Sequence, residues 1–374
     1  MSATKRELVA IDVRPGAAME SQSGLAMLHP RVWGAIERAG NRRVAAIVMH
    51  PASNFMGHYL IAPLRERGVT CMGLNSRYVN NDSQLIMERV IQDLGAGVRW
   101  LRQEGFEKII LIGNSGGAAL ASFYQAQAER LTATRTPAGD PIDLTPDDLP
   151  PVDGIVLAAA HSGRARLIAE WLDPSVIDEA DSLSADPALD MFNPANGPPF
   201  KADWMAGYRA AQFARRARLD AWALARLRQL RSMKSGPRDQ AFIIYRTCAD
   251  PRHLDLSIDP NDRPVGTIWG DAYMVNYAAN SVGRYTTLTA YLSQWSAMSQ
   301  ADGPDNLART KVPVLLLEYT ADASVLPSTN ALWAAASKGR VERHSVKGAN
   351  HYLAGQPALV SEVSDRIAAW GLKL

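Results

Sequence analysis

Three short apolar runs, at 44–49, 69–74 and 108–112, constrain the fold of this chain more than any other feature. Each is too short for a core helix and lacks the alternation of a strand with one wet face. Each therefore reads as a strand buried on both faces by crossover helices. The intervening segments fit that reading. Residues 57–67 can form a helix ended by Gly68, and residues 83–104 place Leu85, Ile86, Val90, Ile91, Leu94, Val98 and Leu101 on one side. Gly95 and Gly97 lower the helix propensity of the second segment but suit close packing on a sheet. A fourth apolar run, 154–160, follows a Pro- and Asp-rich stretch, 136–153, which reads as an exposed excursion.

Residues 164–308 have a different texture, with long helical patterns at 164–171, 203–233 and 272–298, a strand-like run at 241–246 and most of the aromatic content. Strand-like sequence returns at 312–318 and 341–346, with helical patterns at 327–338 and 357–370. The pattern predicts an α/β protein with a mostly parallel sheet. Residues 1–163 and 309–374 form the core, and 164–308 form a large, mainly helical inserted cap.

Composition narrows the functional classes. Of the 374 residues, 47% are apolar and 21% charged, which suits a folded core rather than a disordered chain. Forty basic residues against 38 acidic ones leave +2, so nothing points to a nucleic acid as partner. No apolar run reaches membrane-spanning length, and residues 1–19 lack the apolar centre of a signal peptide. Cys71 and Cys248 are too few for a disulfide framework or a metal cluster. The expectation is a cytoplasmic protein with a small-molecule substrate, no cofactor, no metal and no membrane partner, able to form a homo-oligomer.

The strongest chemical signal is Gly113-Asn114-Ser115-Gly116-Gly117, placed after the third buried run and before the small-residue helix AALASFYQAQAER. Small flanking residues permit a sharp strand-to-helix turn that presents the Ser115 hydroxyl, and the following helix N-terminus favours developing negative charge. Ser115 as a simple helix cap is the plainer alternative. A phosphate-binding loop lacks its Gly-Lys-Ser/Thr ending here, and the dinucleotide pattern is absent. A nucleophilic serine needs a base and a group to orient it. His351, in a loop after the last short strand, is the candidate base. Asp322 is the preferred carboxylate, with Glu318 at the end of the same strand its competitor.

The three segments around Ser115, Thr320-Ala-Asp322-Ala-Ser-Val325 and Gly348-Ala-Asn-His351-Tyr352 resemble, in that order, those of α/β-hydrolase-fold serine hydrolases. The resemblance implies a Ser115–His351–Asp322 triad and an oxyanion hole formed by the Gly116 N–H together with Ala52, or alternatively Ser53. Pro51 stands where related hydrolases often carry glycine and has no N–H to give, and His50 is expected to brace the loop. The implied activity is hydrolysis of a carboxylic ester or lactone through an acyl-enzyme. Carbon–carbon, amide and thioester hydrolysis remain open, as does a non-catalytic ligand-binding or interaction protein on the same scaffold.

Candidate substrate contacts follow from predicted position and chemistry. Met56, Tyr59, His161 and Met191 lie in or near predicted catalytic-face loops, and Trp204, Trp269 and Tyr273 supply aromatic surface from the cap, pointing to a partly apolar or aromatic substrate. Arg77, Arg246 and Arg252 are candidates for a substrate carboxylate. Residues 201–234 hold nine Lys/Arg and two Asp, which reads first as a solvated or intersubunit face.

Overall fold

The computed structural model describes residues 6–15 and 30–374. Eight strands form one twisted sheet: β1 (Glu7–Asp12), β2 (Arg31–Glu37), β3 (Val44–His50), β4 (Thr70–Asn75), β5 (Lys108–Ser115), β6 (Gly154–Ala160), β9 (Val314–Tyr319) and β10 (Val341–Val346). Their spatial order is β1-β2-β4-β3-β5-β6-β9-β10. The pairs β1–β2 and β2–β4 are antiparallel, and the pairs from β4 onward are parallel.

The absence of alternation in the apolar runs has a direct cause. Along β3, Ala45, Ile47 and Met49 join a hydrophobic cluster on one side of the sheet, while Val44, Ala46 and Val48 join a cluster on the other. The first side is covered by α2 (Met87–Gln103) and α3 (Gly117–Glu129), the second by α1 (Ile61–Glu66) and α9 (Pro357–Gly371). Both faces are dry, so both residue sets must be apolar. The glycines of α2 do allow close approach, since a Cβ on Gly97 would lie 2.5 Å from Leu74 Cδ2 of β4.

Three sequence expectations need correction. β1 and β2 were not anticipated, because Leu8 and Trp33 point outward while Ile11, Val32 and Ile36 point into the core. The stretch 136–153 is not wholly exposed: Leu144, Leu149 and Val152 are buried in the main cluster, and Arg99 donates to the Asp148 carbonyl at 2.6 Å. The single helix expected at 272–298 is instead α6 (Ala272–Tyr277), β8 (Tyr285–Thr287) and α7 (Leu288–Gln294), with Gly283 at φ +68° turning the chain between them.

Between β6 and β9 the chain leaves the sheet. α4 (Arg164–Trp171), α5 (Ala202–Ser232), the ribbon of β7 (Ala241–Ile243) with β8, and α7 pack around Ile168, Leu219, Leu227, Tyr291 and Trp295. On α5 the buried residues Tyr208, Gln212, Arg215, Leu219, Ala223, Leu227 and Leu230 form one stripe at helical spacing. Arg215 departs from the solvated face expected of this basic helix. It is fully buried and donates to Glu179 at 2.6 Å and to the carbonyls of Asp173 and Tyr245. The insert rejoins the main cluster at Ala301, and the Gly303 N–H, at the start of α8 (Gly303–Leu307), donates to the Ser162 carbonyl at 2.8 Å. Its two ends therefore touch.

Candidate active site

Ser115 ends β5 with φ +55°, a left-handed conformation that a non-glycine residue adopts only when its surroundings hold it there. One restraint is the close seating of α3, where a Cβ on Gly117 would approach the Met49 carbonyl to 2.3 Å. Another is Asn114, whose side chain donates to the Ala158 carbonyl at 2.9 Å and accepts from His58 Nε2 at 3.2 Å. His58 Nδ1 accepts from the Leu60 N–H, which leaves the ring proton on Nε2; burial lowers the His58 pKa to about 4, so the ring is neutral. The Ser115 carbonyl accepts from the His161 N–H at 3.1 Å, tying the turn to the end of β6.

The hydroxyl so presented meets a continuous hydrogen-bond chain. Ser115 Oγ lies 3.1 Å from His351 Nε2, and His351 Nδ1 lies 2.7 Å from Asp322 Oδ2. Asp322 Oδ1 accepts the N–H groups of Ser324 and Val325 at 2.7 and 3.0 Å. Burial alone would raise the Asp322 pKa, but His351 and those two amides outweigh it and hold the carboxyl below its ordinary value. The acid and base loops are stitched together, with the Gly348 N–H donating to Thr320 Oγ1 and the Ala321 N–H to the Ala349 carbonyl. Glu318, the other carboxylate on this strand, is engaged by Arg343 Nε at 2.8 Å.

A second histidine lies beside the first. The His161 and His351 ring centroids are 5.4 Å apart, and His161 Nε2 contacts Ser324 Oγ at 3.0 Å. Burial, then the neighbouring His351, lower the His161 pKa to about 3, so this ring stays uncharged.

Ser115 opens into a cavity of 420 Å³, within the range of about 300–1,000 Å³ usual for small-molecule sites. Its walls include His50, Gly116, His161, Arg164, Trp171, Trp269, Trp295 and Tyr352. Of the expected contacts, Ala52, Ser53, His161 and Trp269 line this space. The others lie elsewhere, each held by partners of its own. Met56 offers its carbonyl to Arg6, and Tyr59 stacks on His58. Arg77 pairs with Asp93 at 2.7 Å, and Arg246 is buried against Asp173 and Ser175. Arg252 is likewise committed to Asp250 and Glu170. Met191 belongs to a separate cluster with Phe200 and Tyr208, between which Trp204 stacks, and Tyr273 packs on Phe192 and Tyr277.

Sequence reasoning missed Arg164 and Trp171, and it did not single out Trp295 from the other cap aromatics. Arg164 Nη1 pairs with Asp82 at 2.9 Å and also donates to Gln294, and the guanidinium lies 4.7 Å over the Trp295 ring. The available signal was position: Arg164 begins the first helix after β6, at the edge of the sheet where the ends of parallel strands collect ligands.

The loop after β3 also departs from expectation. The Ala52 and Ser53 N–H groups donate to His50 Nδ1 at 3.2 and 2.9 Å, because the Pro51 turn wraps the backbone around the ring. Ser76 Oγ, donating to the Pro51 carbonyl at 2.5 Å, and the Asn80 N–H, donating to the Ala52 carbonyl at 2.7 Å, hold that turn.

The structure is similar to that of DcsB in complex with its substrate analogue, at 12% identity over 98% of this chain and 99% of that one, with a TM-score of 0.51. It is also similar to a highly thermostable carboxyl esterase from Bacillus coagulans in complex with glycerol, at 11% identity over 97% of each chain, with a TM-score of 0.50. No family model matches the sequence, and no curated protein does. The chain has the α/β-hydrolase fold. Within that hydrolase fold, the strand–Ser115–helix turn, the loop after β9 and the loop after β10 converge at one edge of the sheet, beneath the insert. Among the described residues no group of three or more His, Cys, Asp or Glu is arranged to hold a metal ion, and no helix is long and apolar enough to cross a membrane.

Proposed function

We propose that the protein hydrolyses a carboxylic ester or lactone of a small to medium-sized, partly apolar or aromatic molecule through an acyl-enzyme. The observation that carries this reading is the Ser115–His351–Asp322 chain, at 3.1 and 2.7 Å, opening into a tryptophan-walled cavity.

In the proposed reaction His351 Nε2 takes the Ser115 proton as Oγ attacks the acyl carbon, and Asp322 steadies the imidazolium that results. The carbonyl oxygen gains the displaced electron pair and receives a hydrogen bond from the Gly116 N–H, which begins the turn into α3. His351 then returns the proton to the departing alcohol oxygen. Water, deprotonated by the same imidazole, attacks the acyl-enzyme and frees Ser115. The neutral rings of His161 and His50 suit this cycle, since a second charged imidazole nearby would oppose the imidazolium state of His351.

The test is labelling with a fluorophosphonate followed by mass mapping, alongside turnover of an ester, lactone, amide, thioester and dioxo panel by the native chain and Ser115→Ala. A single adduct on Ser115 and loss of turnover in Ser115→Ala are the expected results. Equal turnover by the two proteins would remove Ser115 from the mechanism. Activity confined to the dioxo substrate would replace ester hydrolysis by carbon–carbon cleavage.

A further inference from the structure

Acyl transfer to Ser115 generates a negative oxygen that a single amide, that of Gly116, does not fully satisfy. The loop expected to supply a second backbone donor does not do so: Pro51 has no N–H, and the N–H groups of Ala52 and Ser53 both point into His50 Nδ1. Those two hydrogen bonds decide the state of the ring. A nitrogen that accepts from two N–H groups carries no proton of its own, so a neutral His50 holds its proton on Nε2. The ring is kept neutral by burial first, and then by Arg164, His161 and His351, which together push its pKa well below the ordinary histidine value.

The position of Nε2 is equally defined. A methyl group built on Gly116 would sit 2.7 Å from it, so the nitrogen lies against the backbone of the elbow, and residue 116 must lack a side chain to leave it uncovered. Nε2 has no hydrogen-bond partner among the described residues, and His50 lines the same cavity as Ser115 and Gly116.

We propose that His50 Nε2–H is the second oxyanion donor, acting beside the Gly116 N–H on the tetrahedral intermediate. The inference rests on the serine acyl-transfer reading above. As the Ser115 Oγ–carbon bond forms, the carbonyl π pair moves onto oxygen; the serine proton goes to His351, and His50 keeps its own. A neutral imidazole can donate to a developing oxyanion in this way without acting as an acid. The ring thus has one nitrogen to shape the loop and the other to serve the reaction, which makes the proline at position 51 tolerable.

Two measurements test this independently. In long-range ¹H–¹⁵N spectra of the full chain, with His50 assigned by comparison with His50→Gln, the ring should be Nε2-protonated and unchanged from about pH 5.5 to 8.5. A proton on Nδ1, or an imidazolium in that range, overturns the proposal. The second uses a trifluoromethyl ketone that adds to Ser115 and reports the acidity of its hemiketal by ¹⁹F titration. His50→Phe, which fills the space without a donor, should raise the hemiketal pKa by one unit or more and lower kcat/KM by about 10²–10³-fold with little change in KM. His50→Gln, which can place an amide N–H near the same point, should recover part of both. An unchanged hemiketal pKa in His50→Phe overturns the proposal. Should His50→Phe fail to fold, the ring spectrum and the His50→Gln adduct decide the matter. Failure of the native chain to form any adduct at Ser115 ends the acyl-transfer reading and this inference with it, whereas a normal adduct with a donor-independent pKa removes only His50.

Discussion

At the level of single residues, the assignment of the acid is the sharpest point. Asp322 and Glu318 lie four positions apart, yet only Asp322 reaches His351, while Glu318 is taken up by Arg343 on the neighbouring strand. Asp322→Asn is therefore expected to lower kcat/KM by about 10³-fold or more, because an amide neither orients the imidazole correctly nor stabilises its charged form. Glu318→Gln should change it less than about twofold. Steady-state rates on one activated ester check both. The hydrogen-bonded row of Ser115, His351 and Asp322 was legible in the sequence because local patterns carry it: an apolar run, a glycine-flanked serine and a small-residue helix leave little freedom of geometry. The cavity wall was not. Trp204 and Trp295 look alike in sequence, but one stacks between Phe200 and Tyr208 and the other faces the site. Paired arginines are no easier to sort, since Arg246 and Arg164 find their carboxylates 73 and 82 residues away.

Among elements, the seam between α2 and the insert contains a titratable joint. Glu88, in the first turn of α2, is fully buried and accepts from Ser293 Oγ at 2.8 Å and Gln300 Nε2 at 2.9 Å. Burial raises its pKa from 4.5 to about 7, outweighing those hydrogen bonds. A carboxyl with a raised folded-state pKa binds its proton more tightly when folded, so stability falls as pH rises from about 4.5 to about 7 and changes little beyond. The whole effect is roughly 3 kcal/mol. Glu88→Gln should flatten that slope and exceed the native chain in melting temperature above pH 7. Melting curves at pH 5 and 8 that shift in parallel would count against it. On α5, Arg215→Ala should cost about 1–3 kcal/mol in denaturant unfolding, since it leaves the carbonyls of Asp173 and Tyr245 without their donor, whereas the exposed Glu179 carboxylate is rehydrated. These elements also show where periodicity misleads. The helices 202–232 and 164–171 were readable from their spacing, whereas 272–298 was not, because one glycine turn divides a stretch whose composition stays helical. β1 and β2 escaped because these strands, at the antiparallel end of the sheet, each keep exposed residues and so do not form continuous apolar runs.

Taken whole, the molecule sets a sheet whose central strands are covered on both faces beneath a mainly helical insert, and the cavity lies where the two meet. The guanidinium of Arg164, the one arginine lining it among the described residues, bears on substrate choice. Arg164 Nε and Nη2 have no hydrogen-bond partner among the described residues, while Nη1 is committed to Asp82 and Gln294. A partly buried arginine with open donors favours a carboxylate on the substrate. An aryl hemiester of a dicarboxylic acid should therefore be cleaved with a higher kcat/KM than its methyl diester, by about tenfold. Arg164→Gln should bring that ratio close to one, and Arg164→Lys should fall between. A ratio that survives Arg164→Gln would place recognition elsewhere.

The contact between Gly303 and Ser162 has a consequence for how such a molecule can change over generations. A segment of well over a hundred residues departs and returns through a single doorway, so exchanging it for a shorter or differently shaped one requires no rethreading of the strands below. What such an exchange would have to preserve is the pair of contacts by which the insert braces the loop after β9, from Asn261 to the Asp322 carbonyl and from Thr320 to Asp262.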